Sequence, residues 1–492
     1  MPKTSENRAR GLLVDTYRLA LCAAVGAATG VIAIGFRSAV GVIEHGLAAV
    51  ADGLRDAQES ALAGVLVVAG PAVGGLVVGL LVYRLIRLRG GHGVPAVITA
   101  AAADRPMSDW RMGVKASSSI ITIGSGGSVG PEGPIVELGA VFGSYAWKVF
   151  RLPGQWVRIM MGCGAAAGIA AIFNVPLGGV IFVLDVVLRD YSLRSLVPLM
   201  VASMSASIVT RYAGTPAVQL PAYTLGGDEM LCAPIIGLLA GLVSTLFIRA
   251  NFFAADMFKR LPAPIWLRPA VGGLCVGLIG LGMARVHGEG YTAIEQMVVN
   301  AAGTNPAALV VLALLAFCLA KILATAATLG SGGTGGAFAP SLVIGTALGL
   351  ASAGMWPRLV PGAELNPAAC ALIGMAGLLG GVFQAPLSGV VIAFNLSRWN
   401  AQLLLPLMCV AVISAWLSQH LARASIYDLS LLREGVDLAA SRSLQNILAG
   451  RGIDDLIRTP VISVHEEATL GQMIDALSQS TQVVFPVVDA RD

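Results

Sequence analysis

Long apolar stretches separated by short polar ones dominate the hydropathy pattern of this chain. Residues 17–50 and 61–86 form the first two stretches, and the first of them also carries Arg37 and Glu44. Four more stretches read as apolar helices: residues 196–211, 231–249, 268–285 and 307–329. Because an apolar helix of about 20 residues is long enough to cross a bilayer, the pattern predicts a membrane protein with many helices.

Several apolar stretches are too short, or too interrupted, for a simple span. The stretch from Gly162 to Leu188 is broken at Asn174 and Pro176, and the chain contains 60 glycines and 24 prolines. Irregular backbone at membrane depth is tolerated only where it is buried in protein or lines a wet cavity. The pattern therefore predicts tilted and broken helices around a transport site.

Composition and charge support this class. The 492 residues are 56% hydrophobic and only 12% charged, whereas soluble domains carry about 25% charged residues. Four basic residues lie before or at the very start of the first apolar stretch (Lys3, Arg8, Arg10 and Arg18), which predicts a cytoplasmic N-terminus. The seven cysteines stand singly, without a CxxC motif, so we expect neither a metal site nor a disulfide framework. We also expect no cofactor, no nucleic-acid partner and no enzymatic activity.

The segment from Gly124 to Pro134 carries the clearest candidate chemistry. It has five glycines in eleven positions and ends in Glu132-Gly-Pro134 before an apolar run. Glycine lets the backbone bend closely, and proline is tolerated in the first turn of a helix. Free N–H groups and the positive end of a helix attract an anion. We therefore expect the Glu132 carboxylate to compete with an anion at a helix start.

The same segment occurs twice. Residues 330–340 align with residues 124–134 without a gap, at an offset of 206, and Phe338 falls on Glu132. Residues 383–390 likewise resemble residues 173–180, at an offset of 210. Two matches in the same order predict a duplicated fold, with halves at about 17–215 and 231–425. Transporters built from repeats place their sites where broken helices of both halves meet.

The two ends of the chain differ from this central part. Residues 1–16 are polar and predict a short cytoplasmic segment, and residues 17–435 form the transport domain. Residues 436–492 predict a linker and the start of a small α/β domain, with strands at 461–464 and 483–488 and a helix at 470–477.

These motifs identify a resemblance to the CLC family of chloride channels and chloride/proton exchangers over residues 15–435. Gly91-His-Gly-Val-Pro95, Gly130-Pro-Glu-Gly-Pro134, Gly335-Gly-Ala-Phe-Ala-Pro340 and Tyr427 follow one another in the family order. The resemblance implies an all-α inverted-repeat fold, a homodimer and a chloride path. Glu132 would be the gate, and the anion would be bound by His92, Gly93, Gly133, Ala337, Phe338 and Tyr427. The tail resembles a partial cystathionine-β-synthase-type domain, whose full form could bind a nucleotide or other ligand.

The chain also departs from the family pattern. The internal glutamate that relays protons in the exchangers corresponds to Val186, which cannot carry a proton. The preceding Asp185 is a possible substitute, although a neighbouring helical residue faces about 100° away. His92 replaces the usual serine, and it could donate to the anion or simply bond to backbone. Pro131 replaces the usual Arg or Lys. Lys321, in an apolar helix, is expected to pair with a carbonyl or to reach water.

The sequence therefore predicts transmembrane transport of chloride and similar small anions, opened by protonation of Glu132. Val186 favours passive conduction by a channel. The alternatives are a chloride/proton antiporter with a different inner proton route, a fluoride/proton exporter, and a membrane sensor that signals through the C-terminal domain. We expect a multi-pass protein of the inner membrane, if bacterial, with both termini cytoplasmic.

Overall fold

The computed structural model describes residues 2–56, 60–86, 93–107, 111–214, 227–301, 308–363, 365–437, 463–478 and 487–488. The chain divides into two compact units, Met1–Glu434 and Gly435–Asp492. The first unit is helical throughout its described part and contains the candidate site.

The described residues of the first half of the larger unit form eight α-helices. They are α1 (Pro2–Asp56), α2 (Ser60–Leu81), α3 (Val94–Ala102), α4 (Arg111–Gly124), α5 (Glu132–Val149), α6 (Trp156–Phe173), α7 (Pro176–Phe182) and α8 (Leu193–Tyr212). Single π-helical turns extend α2 over Val82–Ile86 and α7 over Val183–Leu188.

In the second half, the part of the chain that the structure describes forms nine α-helices. They are α9 (Glu229–Arg260), α10 (Arg268–Gly282), α11 (Tyr291–Ala301), α12 (Ala308–Ser331), α13 (Phe338–Leu359), α14 (Pro367–Phe383), α15 (Pro386–Leu396), α16 (Leu404–Ala422) and α17 (Ile426–Arg433). Short 3₁₀ turns at Ala284–Val286 and Ala401–Leu403 precede α11 and α16.

The apolar stretches of the sequence form helices at the expected places. In the described part of the chain, eight helices are long and apolar enough to cross a membrane, and four more apolar helices are shorter. The break between α6 and α7 falls at Asn174, whose φ of 53° is left-handed, and Pro176 then begins the next helix. Asparagine tolerates this conformation better than most residues, and proline fits a first helical position. The broken-helix prediction is confirmed.

Matching glycines let helix pairs pack closely in both halves. A Cβ at Gly139 of α5 would lie 2.2 Å from the Gly164 carbonyl oxygen of α6, and one at Gly345 of α13 would lie 2.6 Å from that of Gly374 in α14. Gly139 and Gly345 are 206 residues apart, the same offset as the glycine-rich segments. The two halves therefore use the same packing device, and the duplicated all-α fold expected from the sequence is confirmed.

The smaller unit, where it is described, has a strand–helix–strand order. Strand β1 (Val464–His465) pairs in parallel with β2 (Val487–Val488), and helix α18 (Leu470–Ser478) lies between them in sequence. The helix matches the predicted residues 470–477 closely. Most of the two predicted strands lies outside the described residues.

Candidate anion site

The two glycine-rich segments meet in the middle of the larger unit. Gly130 donates a backbone hydrogen bond of 2.9 Å to the Gly336 oxygen, and Gly336 donates one of 2.7 Å to the Gly130 oxygen. These residues are equivalent in the two repeats, at the offset of 206. The reciprocal pair therefore holds the starts of α5 and α13 next to each other.

Side chains reinforce this junction with the same internal symmetry. The Ser128 amide donates to the Thr328 hydroxyl at 3.1 Å, and the Thr334 amide donates to the Thr122 hydroxyl at 3.4 Å. Adding 206 to Thr122 and Ser128 gives Thr328 and Thr334. The two bonds therefore occupy equivalent positions in the two repeats. The approximate two-fold axis that relates the repeats passes through this junction.

Glu132 is the first residue of α5, and its side chain is fully buried. Its Oε1 atom accepts hydrogen bonds from the amides of Phe338, at 2.5 Å, and Ala339, at 3.2 Å. These amides belong to the first turn of α13, where N–H groups have no partner within the helix. The carboxylate of one repeat thus occupies the helix start of the other, which is the arrangement expected of a competitor for an anion.

Ala339 is a residue that the sequence analysis missed. Ala337 and Phe338 are the predicted donors to the anion; the amides that bond to the Glu132 carboxylate are those of Phe338 and Ala339, and Ala337 is the residue preceding α13. The signal for Ala339 was available, because every amide in the first turn of a helix is a free donor. The other carboxylate oxygen of Glu132, Oε2, has no hydrogen-bond partner among the described residues.

Aromatic rings surround this junction on one side. The Phe338 ring lies 4.9 Å from that of Phe173, 5.5 Å from that of Phe182 and 5.6 Å from that of Phe383, between ring centroids. Phe383 in turn packs against Tyr427 at 5.0 Å. Phe338 therefore provides its amide to the Glu132 carboxylate while its ring packs among other rings. The rings keep water away, which strengthens electrostatic interactions at the helix starts.

A cavity of about 250 Å³ brings together four of the predicted anion-binding residues: Gly93, Gly133, Ala337 and Tyr427. Tyr427 is the second residue of α17. The hydroxyl of Ser425, which precedes the helix, caps its start. The buried Tyr427 hydroxyl has no hydrogen-bond partner in the described part of the chain. A buried hydroxyl without a partner is costly, so this group is available to a ligand in the cavity.

The first glycine-rich loop shows an interaction that the sequence did not indicate. Gly93 has a φ of 67°, and its amide donates to the Glu137 carboxylate at 2.9 Å. Glu137 also forms an ion pair with Lys115 at 3.2 Å, and both side chains are largely buried. The Glu137 carboxylate therefore accepts the hydrogen bond of the Gly93 amide, which was expected to bind the anion. His92 lies outside the described residues.

Asp185 is engaged by several donors. Its carboxylate accepts from the Tyr191 hydroxyl at 2.7 Å and from the hydroxyl and amide of Ser388 at 3.0 and 3.3 Å. Ser388 lies in the first turn of α15, so the acid satisfies a helix start. Val186 is buried.

This fold and site define a polytopic membrane protein in which two related halves join their helix starts around a buried acid. The chain belongs to the CLC family: the family model described as "Voltage gated chloride channel" matches residues 74–419. The chain is also similar to curated relatives. A protein of Ralstonia nicotianae, named "Putative chloride channel protein ClcB-like", is 34% identical over 428 residues, which cover 85% of this chain and 97% of the relative. The "H(+)/Cl(-) exchange transporter ClcA" of Yersinia pestis is 30% identical over 361 residues, 72% of this chain and 74% of the relative.

Solved structures show the same fold. A slow cyanobacterial Cl⁻/H⁺ antiporter superposes with a TM-score of 0.76 and 25% identity, covering 86% of this chain and 98% of that one. A eukaryotic CLC transporter gives 0.73 and 19% identity, over 97% and 86% of the chains. A CLC-type fluoride/proton antiporter gives 0.67 and 21% identity, over 84% and 97%.

Proposed function

We propose that this protein moves chloride across the membrane in exchange for protons, with Glu132 as the gate. The observation that supports the proposal best is the bond between the Glu132 carboxylate and the amides of Phe338 and Ala339. In this state the acid occupies the donors that a chloride ion would use, so the path is closed.

Protonation opens the path in this mechanism. A neutral carboxyl group loses the charge-assisted part of its hydrogen bonds to the helix start and leaves the amides of Phe338 and Ala339 to the anion. Chloride is then bound by N–H and O–H dipoles, including the Tyr427 hydroxyl, without a full positive charge. Such binding is weak enough to permit release, as conduction requires.

The choice between proton-coupled exchange and passive conduction depends on position 186, where this chain has valine in place of the proton-relaying glutamate of the exchangers. The names of the exchange transporters and of the cyanobacterial antiporter favour coupling to protons, and they weigh against the channel preferred from the sequence. Val186 and the name of the Ralstonia relative keep a chloride channel as the second candidate. Likeness to the fluoride antiporter, at 21% identity, supports the fold alone.

Paired flux measurements on the purified protein in liposomes test this proposal. An exchanger uses an imposed chloride gradient to move protons against their own gradient, whereas a channel moves chloride without protons. Chloride flux is compared between the full chain and a chain truncated near Gly450 in order to separate transport from signalling. A pure sensor would show no chloride flux in either form.

Further features complete the proposal. Both termini are cytoplasmic in the inner membrane, the protein is a homodimer, and the full C-terminal domain binds a nucleotide or similar ligand. His92, Gly93 and Gly133 contribute to anion binding beside Tyr427 and the α13 amides. Asp185 is the candidate for the inner proton route, since Val186 cannot take that part.

A further inference from the structure

A second group of charged residues lies close to Glu132 and has no part in the anion site. Its centre is Glu289, in the turn between Val286 and Tyr291 that leads into α11. The Gly288 amide beside it donates to the Gly126 oxygen of the first glycine-rich segment at 3.5 Å, and a Cβ at Gly288 would lie 3.2 Å from Glu44 Oε1. The turn that carries Glu289 therefore lies beside the segment that leads to the gate.

Lys321 fixes the turn that carries Glu289. Its side chain is fully buried in α12, and its Nζ atom donates to the carbonyl oxygens of Val286, at 2.9 Å, and Gly288, at 3.0 Å. The expected pairing of this lysine with carbonyls is thus found. A buried cation needs compensating groups, and the two carbonyl oxygens supply them. The lysine therefore fixes the backbone of the turn that carries Glu289.

Three acids form a series from solvent to the gate. Glu44 is exposed and lines a cavity of about 280 Å³ together with His287 and Gly288. Glu289 is partly buried, and Glu132 is fully buried. Glu289 interacts with both of the others, so it is the intermediate member of the series.

Tyr291 provides a polar group beside the last step. Its ring packs on that of Phe173 at 5.8 Å, and the Phe173 ring lies 4.9 Å from that of Phe338, whose amide donates to Glu132. The buried Tyr291 hydroxyl has no hydrogen-bond partner among the described residues, and neither has Glu132 Oε2. Two buried polar atoms of this kind are well suited to be joined by a water molecule.

The position of the cavity sets the direction of the series. Glu44 lies toward the C-terminal end of α1, which spans the apolar stretch Leu13–Leu54. At a rise of 1.5 Å per residue, Glu44 lies roughly 45 Å along the helix axis from Leu13. With the N-terminus cytoplasmic, as proposed, the cavity faces away from the cytoplasm. The anion cavity around Tyr427 shares no lining residue with it.

We propose that Glu289 relays protons between the cavity at Glu44 and the gate Glu132, with the Tyr291 hydroxyl and water completing the last step. A proton enters on Glu44, passes to the Glu289 carboxylate, and moves through the Tyr291 hydroxyl to Glu132 Oε2. The hydroxyl donates one proton and accepts another, so it is unchanged. The positive charges of Arg37 and Lys321 favour the return of Glu289 to its charged form after each transfer, so that it can accept the next proton. His287, which also faces the cavity, supplies no negative charge.

The test uses Glu289→Gln, which keeps the shape of the side chain but cannot carry the proton. We expect proton flux driven by a chloride gradient to fall about tenfold, as when a positioned proton-transfer group is removed, while chloride flux persists. Tyr291→Phe should give a smaller reduction of proton flux. Glu295→Gln, which removes another partly buried acid of α11, is the matched control and should leave both fluxes unchanged.

Two results would overturn the relay. One is unchanged proton flux in Glu289→Gln. The other is an equal fall of proton and chloride flux with a lower melting temperature, which would show a structural role.

This inference rests on the proposed exchange. If the wild type and Glu132→Gln both move chloride without protons, exchange fails, and the relay is then tested by the response of chloride flux to a pH jump. Glu289→Gln should slow that response, and a wild-type response would reject the relay.

Discussion

The Glu132 carboxylate accepts a hydrogen bond from the amide of Phe338, its own counterpart in the other repeat. The fold is symmetric here, but the side chains are not, because an acid stands in one half and an aromatic ring in the other. The acid can occupy the helix start opposite it, whereas the ring packs among other rings. A duplicated backbone therefore yields a single gate.

The first prediction concerns Glu132→Gln. The amide side chain imitates the protonated acid, so it should bind the α13 amides weakly and leave them to chloride. We expect faster chloride flux at neutral pH, a flat pH dependence, and loss of proton coupling. Chloride flux measured in liposomes between acidic and alkaline pH checks this, with Glu295→Gln as control. A pH dependence equal to that of the wild type would refute the gate.

The second prediction uses the close contact of Gly336 with the gate. A Cβ at Gly336 would lie 2.2 Å from Glu132 Oε1, and its three nearest atoms all belong to Glu132. Gly336→Ala should therefore displace the carboxylate and cost about 1–3 kcal/mol of stability.

A double-mutant cycle isolates this contact. In a Glu132→Ala background the added methyl group has room, so Gly336→Ala should then lower the melting temperature much less. An equal effect of Gly336→Ala in both backgrounds would mean that the clash lies elsewhere. Gly113→Ala, with no atom within 4 Å of its Cβ, is the control.

Most of the fold could be predicted from the sequence because the signals are local or repeated. Apolar stretches gave the long helices, Asn174 and Pro176 marked the break between α6 and α7, and the offset of 206 revealed the duplication. Glu132 could be placed at a helix start for the same reason, since a glycine-rich loop followed by proline is a short-range pattern. These features depend on backbone chemistry within a few residues.

What could not be predicted depends on which distant side chains meet. Nothing near Gly93 shows that its amide bonds to Glu137, 44 residues later in the chain. Glu289 stands in an ordinary glycine-rich turn, and its role emerges only when Lys321 of α12 is brought beside it. Such contacts are fixed by tertiary packing, for which hydropathy carries no signal.

The third prediction tests the shared packing of the repeats. Gly139→Ala and Gly345→Ala each place a methyl group against a backbone carbonyl of the neighbouring helix, which cannot move away as a flexible side chain can. We expect each to destabilise the protein by roughly 1–3 kcal/mol, seen as a lower melting temperature in detergent. Gly35→Ala, whose Cβ would meet nothing within 4 Å, should have no such effect. A large difference between the two repeat mutants would mean that the halves pack differently.

The fourth prediction concerns Asp185→Asn. Because the Asp185 carboxylate is engaged by Tyr191 and Ser388, its removal should weaken the contact between the end of α7 and the start of α15. We expect a loss of about 1–3 kcal/mol of stability, together with a lower ratio of protons to chloride, because the substitution also removes the proposed inner proton route. Paired flux and a melting curve on the same sample measure both. A lower stability with an unchanged ratio of protons to chloride would show that Asp185 only joins the two helices and is not the inner relay.

The last prediction concerns Tyr427→Phe, which removes one hydroxyl and keeps the ring against Phe383. That hydroxyl has no protein partner among the described residues, so its loss should leave the melting temperature unchanged in the absence of chloride. If it donates to the bound anion, chloride binding should weaken by about 1 kcal/mol, or roughly fivefold. Calorimetric titration with chloride measures the affinity, and Tyr191→Phe, which removes a hydroxyl outside the cavity, is the control. Equal affinity in wild type and Tyr427→Phe would show that the anion is bound by the helix starts alone.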